Sequence, residues 1–224
     1  MTTSPILFDL DGTLIDNVYA HVLAWRDAML SAGNDIPAWF VHRRIGMSDT
    51  LIIGEMLRWS GTKSDDALVE RIKNAHSAAY KRYSTTVKPL PGAQALLAHL
   101  DENMFPWAIA TSGDLESCKN SLALLGRDPK AITIVTRDDA QASKPDPDLF
   151  LRAAERLGLP ITQAIVVGDS QWDMIAARRC GALPVGLLSG GNAAEELQGC
   201  GAVRIYDGLA SLLQNLNEIA PIKI

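Results

Sequence analysis

From residue 93 onward the chain switches repeatedly between short continuous apolar runs and the 3.6-residue period of an amphipathic helix, and few architectures accommodate that pattern. The period predicts helices over 93–100, 115–125, 147–157, 171–180 and 209–219. Strands are predicted over 107–110, 132–135, 164–167, 185–188 and 202–205. Gly126, Gly158 and Gly181 follow three of the helices, where a left-handed residue ends the last turn. Short apolar strands separated by helices of this length specify a parallel sheet with right-handed crossovers.

Ahead of this region, Ile6, Leu7 and Phe8 form another apolar run, which ends in Asp9-Leu10-Asp11-Gly12. It reads as the first strand, with Gly12 permitting a turn. Between 16 and 86 the period stays helical. Val18, Val22, Trp25 and Met29 recur at three- and four-residue spacing and Gly33 ends that stretch. A short helix or turn over 37–44 and a loop over 45–48 follow. Ser48 then stands where it can cap a helix reaching Gly61, and a further helix begins near Ser64 or Asp65 and runs toward Tyr83. The expected fold is α/β: a doubly wound, Rossmann-like parallel-sheet core from residues 1–15 and 87–224, with an all-α cap of residues 16–86 inserted after the first strand.

Composition narrows the class of function. A chain of 224 residues with 47% hydrophobic residues can bury a sizeable core. A net charge of −5 argues against a nucleic acid or an anionic membrane as the main partner. Cys118, Cys180 and Cys200 are odd in number and lack metal-site spacing, which fits a reduced compartment better than a disulfide framework. No apolar run approaches the length of a membrane span, and acidic residues arrive by Asp9, too early for a secretory leader. The expectation is a cytoplasmic protein, monomer or homodimer, acting on a small molecule.

Polar residues gather where the predicted strands end, which in open α/β sheets is the ligand crevice. Asp9 and Asp11 lie one residue apart; they repel unless a cation is shared or a proton held, and oxygen-only ligands suit Mg²⁺. Ordinary turn chemistry would also accept an Asp-x-Asp-Gly sequence. Thr111, Ser112 and Gly113 follow the 107–110 strand and offer hydroxyls and amides to a phosphate, or else simply cap the next helix. The Lys144 ammonium can stabilise carboxylate and phosphoryl charge together, or be a solvated surface charge; Asp146 and Pro147 after it read as N-cap and first helical residue. Asp169 follows the 164–167 strand and suits a metal. Asp173 is three residues past Ser170, so it fits a capping box as well as support of the metal site from behind.

Taken together, Asp-x-Asp, Thr, Lys and Gly-Asp-x-x-x-Asp stand at four strand ends in this order, and here the chain resembles the haloacid dehalogenase superfamily over its whole length. The resemblance implies a phosphoaspartyl mechanism. Asp9 is then the nucleophile, Asp11 the acid and base, and Thr111 and Lys144 the groups that bind and stabilise the phosphoryl group, with Ser112 and Gly113 beside them. Asp9, Asp169 and the backbone carbonyl of Asp11 would ligate Mg²⁺. The second Asp separates phosphoryl transfer from the dehalogenating and phosphonate-cleaving branches. The insertion resembles the helical cap of the phosphoglycolate phosphatase and β-phosphoglucomutase group. On it, His21, Arg43, Arg44 and Gly46 are candidates to read the substrate; each Arg fits equally a solvated face, and His21 a helix surface. The function implied is Mg²⁺-dependent hydrolysis of a small phosphorylated metabolite, similar to phosphoglycolate phosphatase. A sugar-phosphate mutase and a phospho-acceptor without turnover are the rival readings.

Overall fold

The computed structural model describes residues 4–220. In chain order, β1 (Ile6–Phe8) and β2 (Ile15–Asp16) are followed by four helices: α1 (Val18–Ser31), α2 (Ala38–His42), α3 (Asp49–Trp59) and α4 (Asp66–Tyr83). Next come β3 (Lys88–Pro89), α5 (Ala93–Glu102), β4 (Trp107–Ala110), α6 (Leu115–Leu124), β5 (Ile134–Val135) and α7 (Asp148–Leu157). The chain closes through β6 (Ile165–Gly168), α8 (Gln171–Cys180), β7 (Leu183–Leu187), α9 (Ala194–Gly199), β8 (Arg204–Tyr206) and α10 (Leu209–Gln214). Among the described residues these elements form two compact units, one of residues 4–16 with 88–220 and one of residues 17–87.

The first unit carries a six-stranded parallel sheet in the order β5-β4-β1-β6-β7-β8. β1 is central, with Leu7 opposite Ala108 on one side and Val166 on the other. The strand order leaves β1 in both directions, so the crevice at its carboxyl end is the topological switch point. β1, β4 and β6 are buried along their whole length, which is why they are continuously apolar rather than alternating. Leu7, Ala108, Ala110 and Val166 share a core with Leu149, Phe150, Ala153 and Ala154 of α7 and Ala176 and Ala177 of α8. α5 and α10 also pack together, and Gly92 starts α5 at φ +89° with Ala210 backbone so close that a Cβ would collide with it.

The second unit is α1–α4 around its own core of Val22, Trp25, Met29, Phe40, Ile52, Met56 and Ile72. α1 lies along α4, and the 3.6-residue stripe of each faces the other. Asp65 caps α4 by accepting the Leu68 N–H at 2.7 Å. Ser48 holds the N-cap position of α3, as expected, but its side chain makes no capping bond.

Two local expectations need correction. Asp146 is not the cap of α7: Pro147 holds that position, the helix begins at Asp148, and the Asp146 carboxylate pairs with Arg179 at 2.9 Å. The last helix stops at Gln214 and continues as a 3₁₀ turn over Leu216–Glu218. β2 and β3 form a two-residue antiparallel ribbon and α9 a six-residue helix, none of which the periodicity predicts.

Candidate active site

The site begins with a tight coil after β1. The Asp9 N–H still donates to Val167 O at 3.0 Å, prolonging the β1–β6 ladder by one residue. The backbone then closes on itself: Leu14 and Ile15 N–H donate to Leu10 O at 2.9 and 3.1 Å, and Gly12 N–H to Ile15 O at 2.8 Å, with Gly12 at φ +82°. Leu10 and Leu14 are buried, anchoring the coil in the core while Asp11 stays partly exposed. Asp9 is buried at the end of the strand.

Lys144 is fully buried, so the solvated reading of it is wrong. Its ammonium lies between two carboxylates, in ion pairs with Asp9 and, at 2.8 Å, with Asp173 Oδ1. Burial disfavours the charged amine, but Asp173 and Asp9 together outweigh that and hold it above its usual value. Asp173 is fully buried and serves two purposes: Oδ1 faces Lys144, while Oδ2 accepts from Ser170 N–H at 3.1 Å and from its hydroxyl at 2.6 Å. The capping box and the site use opposite edges of one carboxylate. Gly168 makes this possible, since a Cβ there would overlap the Asp173 side chain.

Asp169 lies beside them. Thr13 donates to its Oδ1 at 2.8 Å, a contact from the β1 coil to the end of β6 that sequence reasoning did not anticipate. Ligand atoms of Asp9, Asp169 and Asp173 all fall within 4.8 Å of one another. Burial pushes Asp9 up to about 7 against the pull of Lys144, with Asp173 and Asp11 adding to the rise. Burial, then Asp173 and Asp9, raise Asp169 well above the usual carboxylate range. Three buried carboxylates face one ammonium, so two negative charges lack compensation when all are ionised. A divalent cation fits that deficit, and oxygen-only donors suit a hard one. Asp173 is already engaged on both edges, which leaves Asp9 and Asp169 as the side chains best able to hold it.

The 107–110 strand delivers Thr111, buried, with its N–H on Val135 O at 3.0 Å. Thr111 and Ser112 are not helix caps. Asp114 caps α6 by accepting Ser117 N–H at 2.8 Å, whereas Thr111 Oγ1 accepts Gly113 N–H at 3.1 Å. Arg137, after β5, fastens this loop: it donates to Asp114 at 2.7 Å and its N–H to Gly113 O at 3.1 Å. The structure thus brings Asp9, Lys144, Asp169 and Asp173 into one cluster, and β1 and its neighbours β4 and β6 deliver Asp9, Thr111 and Asp169 from one edge of the sheet.

The cap candidates belong to the helical unit. Arg44 is held within it, over the Phe40 ring at 3.4 Å and against Glu55 at 3.2 Å. Arg43 is exposed. His21 Nδ1 and His76 Nε2 are 3.3 Å apart, joining α1 to α4, and Trp25 stacks on His76 at 3.7 Å. Gly46 sits in the loop before α3 at φ +98°.

A six-stranded parallel sheet with this acidic cluster at its switch point defines a hydrolase class, and the chain belongs to the haloacid dehalogenase-like hydrolases, whose family model matches residues 6–181. It is 31% identical over 193 residues to hexitol phosphatase A of Escherichia coli K12, covering 85% of this chain and 79% of that protein. It is 30% identical over 196 residues to phosphoglycolate phosphatase of Yersinia pestis, covering 86% and 84%. A crystal structure of a hydrolase from Pseudomonas syringae is 46% identical, with a TM-score of 0.94 over 97% of this chain and 99% of that one. The chain is therefore an enzyme. No helix among the described residues is long and apolar enough to cross a membrane.

Proposed function

We propose that the protein is a Mg²⁺-dependent phosphatase of a small phosphorylated metabolite, working through an aspartyl phosphate at Asp9. The observation that carries this reading is the buried Lys144 ammonium held between Asp9 and Asp173, with Asp169 alongside. Asp9, Asp169 and the backbone carbonyl of Asp11 would hold the cation, which offsets charge on the phosphoryl oxygens.

Asp9 attacks phosphorus through a carboxylate oxygen, and the bond from phosphorus to the ester oxygen breaks. Asp11 gives its proton to that leaving oxygen and then, as a carboxylate, takes one from the water that attacks the phosphoenzyme. The second attack breaks the bond to Asp9 and releases inorganic phosphate. Lys144 opposes the effect of burial on Asp9 and would steady the phosphoryl oxygens, and the Thr111 hydroxyl with the Ser112 amide would cradle the group being transferred, in a loop that the Gly113 N–H ties to Thr111. Asp173 fixes the Lys144 ammonium, so it acts on the chemistry through that lysine.

We assign substrate reading to the helical unit as a cap. Arg44 is held by Glu55 and Phe40 within the helical unit, and Arg43, His21 and Gly46 remain candidates on it to read the substrate. The relatives named as hexitol and phosphoglycolate phosphatases support a substrate of that size, either a polyol phosphate or a small phosphoacid. The test is Mg²⁺-dependent phosphate release from 2-phosphoglycolate, hexitol and hexose phosphates and nucleotides, with Asp9→Asn as the blank. Release from at least one small phosphate ester, lost in the blank, supports the reading. Conversion of β-glucose 1-phosphate to glucose 6-phosphate without release would replace it with a mutase.

A further inference from the structure

The turn after β7 has no role in the site so far, yet it touches two of its loops. β7 lies in register beside β6, with Gly168 opposite Gly186, so the chain leaving Leu187 emerges next to Asp169. There it makes a 3₁₀ turn over Leu188–Gly190 and turns again at Gly191, φ +82°. Asn192 donates its side-chain amide to Asp169 O at 3.0 Å. Ser189 donates its hydroxyl to Gly12 O at 2.6 Å, on the residue after Asp11. Gly190 lies against the Asp169 carboxylate itself, where an added Cβ would overlap Oδ2.

We propose that residues 188–192 form a positioning strap that fixes Asp169 and the Asp11-Gly12 peptide as cation ligands. The proposal rests on the assignment of Asp169 and the Asp11 carbonyl as ligands made above. Asp169 is held on three sides: its main chain by Asn192, Oδ1 by Thr13, and the Oδ2 edge by the bare Cα of Gly190. A carboxylate packed near Asp9 and Asp173 gains by rotating away from their charge when no cation is present, and the strap closes that escape. Ser189 does the same for the coil, holding the peptide next to Asp11 in place across 177 residues of sequence. Ligands already oriented need no reordering when the cation arrives, so binding is tighter.

The test measures Mg²⁺ binding to the full-length protein by calorimetry, together with the rise in unfolding temperature that Mg²⁺ produces. Ser189→Ala and Asn192→Ala are each expected to weaken binding about tenfold, the lower end of what outer partners of metal ligands contribute. Their unfolding without Mg²⁺ should stay close to that of the unchanged protein, and Ser189→Thr, which keeps the hydroxyl, should bind Mg²⁺ normally. Ser189→Ala removes one oxygen atom only, so it answers the question even if Asn192→Ala fails to fold. Unchanged Mg²⁺ affinity in Ser189→Ala overturns the proposal. Asp169→Asn separates the two layers: if it also binds Mg²⁺ normally, the ligand assignment itself is wrong; if it loses binding while the strap variants do not, only the strap is wrong.

Discussion

Lys144 is the residue whose environment departs most from what its type leads one to expect. A lysine is almost never fully buried unless paired, and this one has carboxylates on two sides. Replacing it with Met leaves Asp9 and Asp173 facing each other without compensation, which should destabilise the metal-free protein by about 3–5 kcal/mol in urea denaturation. Mg²⁺ should restore part of that loss. The same cluster sets a pH dependence. Asp9 is raised from its ordinary 3.8 to about 7, so the folded state binds its proton more tightly than the unfolded chain does. Stability of the metal-free protein should therefore fall as pH rises from about 4 to about 7, and Asp169 adds in the same direction. Thermal unfolding in EDTA across that range checks the sign, and Asp9→Asn should flatten the slope. A stability that rises over the window would contradict the assigned environment. Asp9, Asp169 and Asp173 were legible because each directly follows a strand or lies in the first turn of a helix, whereas Lys144, in the connection between β5 and α7, stood out only through the order of the four motifs. Thr13, Ser189 and Asn192 were not, since their partners lie far away in sequence and a lone hydroxyl or amide carries no period.

Elements succeeded or failed as sequence readings according to how strongly their ends are marked. α8 was read to the residue because Ser170 with Asp173 opens it and Gly181, at φ +76°, closes it. The ribbon of β2 and β3 escaped because each has two residues and one of them is Pro89, which reads as a breaker. α9 has six residues, too few for a period to show. At the start of α7 the Asp-Pro signal pointed one residue too early, because Asp146 is drawn off by Arg179. Two substitutions test how elements support the site. Phe150→Ala on α7 empties a fully buried position under the sheet and should cost about 3–5 kcal/mol in denaturant unfolding. Gly168→Ala drives a methyl into Asp173, so phosphate release should fall at least tenfold at saturating substrate, beyond any loss of stability. Full activity in Gly168→Ala would mean that Asp173 need not hold Lys144.

At the scale of the molecule, the parallel sheet was foreshadowed by the alternation of periods, but not its strand order with β1 in the middle. That follows from right-handed crossovers leaving β1 in both directions, and it explains why residues from 9 to 173 meet at one edge. The substrate is less legible because no motif marks the side chains of the helical unit to which recognition is assigned in the proposal. Arg43→Ala should raise KM for an anionic phosphoacid about tenfold or more while leaving kcat within a factor of about two, measured by steady-state phosphate release. An unchanged KM would remove Arg43 from substrate binding. The claim on which the account turns is the covalent step at Asp9. Rapid acid quench of a turnover with ³²P-labelled substrate and Mg²⁺, followed by peptide mapping, tests it directly. Label on the peptide carrying Asp9, released by hydroxylamine and missing in Asp9→Asn, is the predicted result. Steady phosphate release by Asp9→Asn at a rate near that of the unchanged enzyme would contradict it.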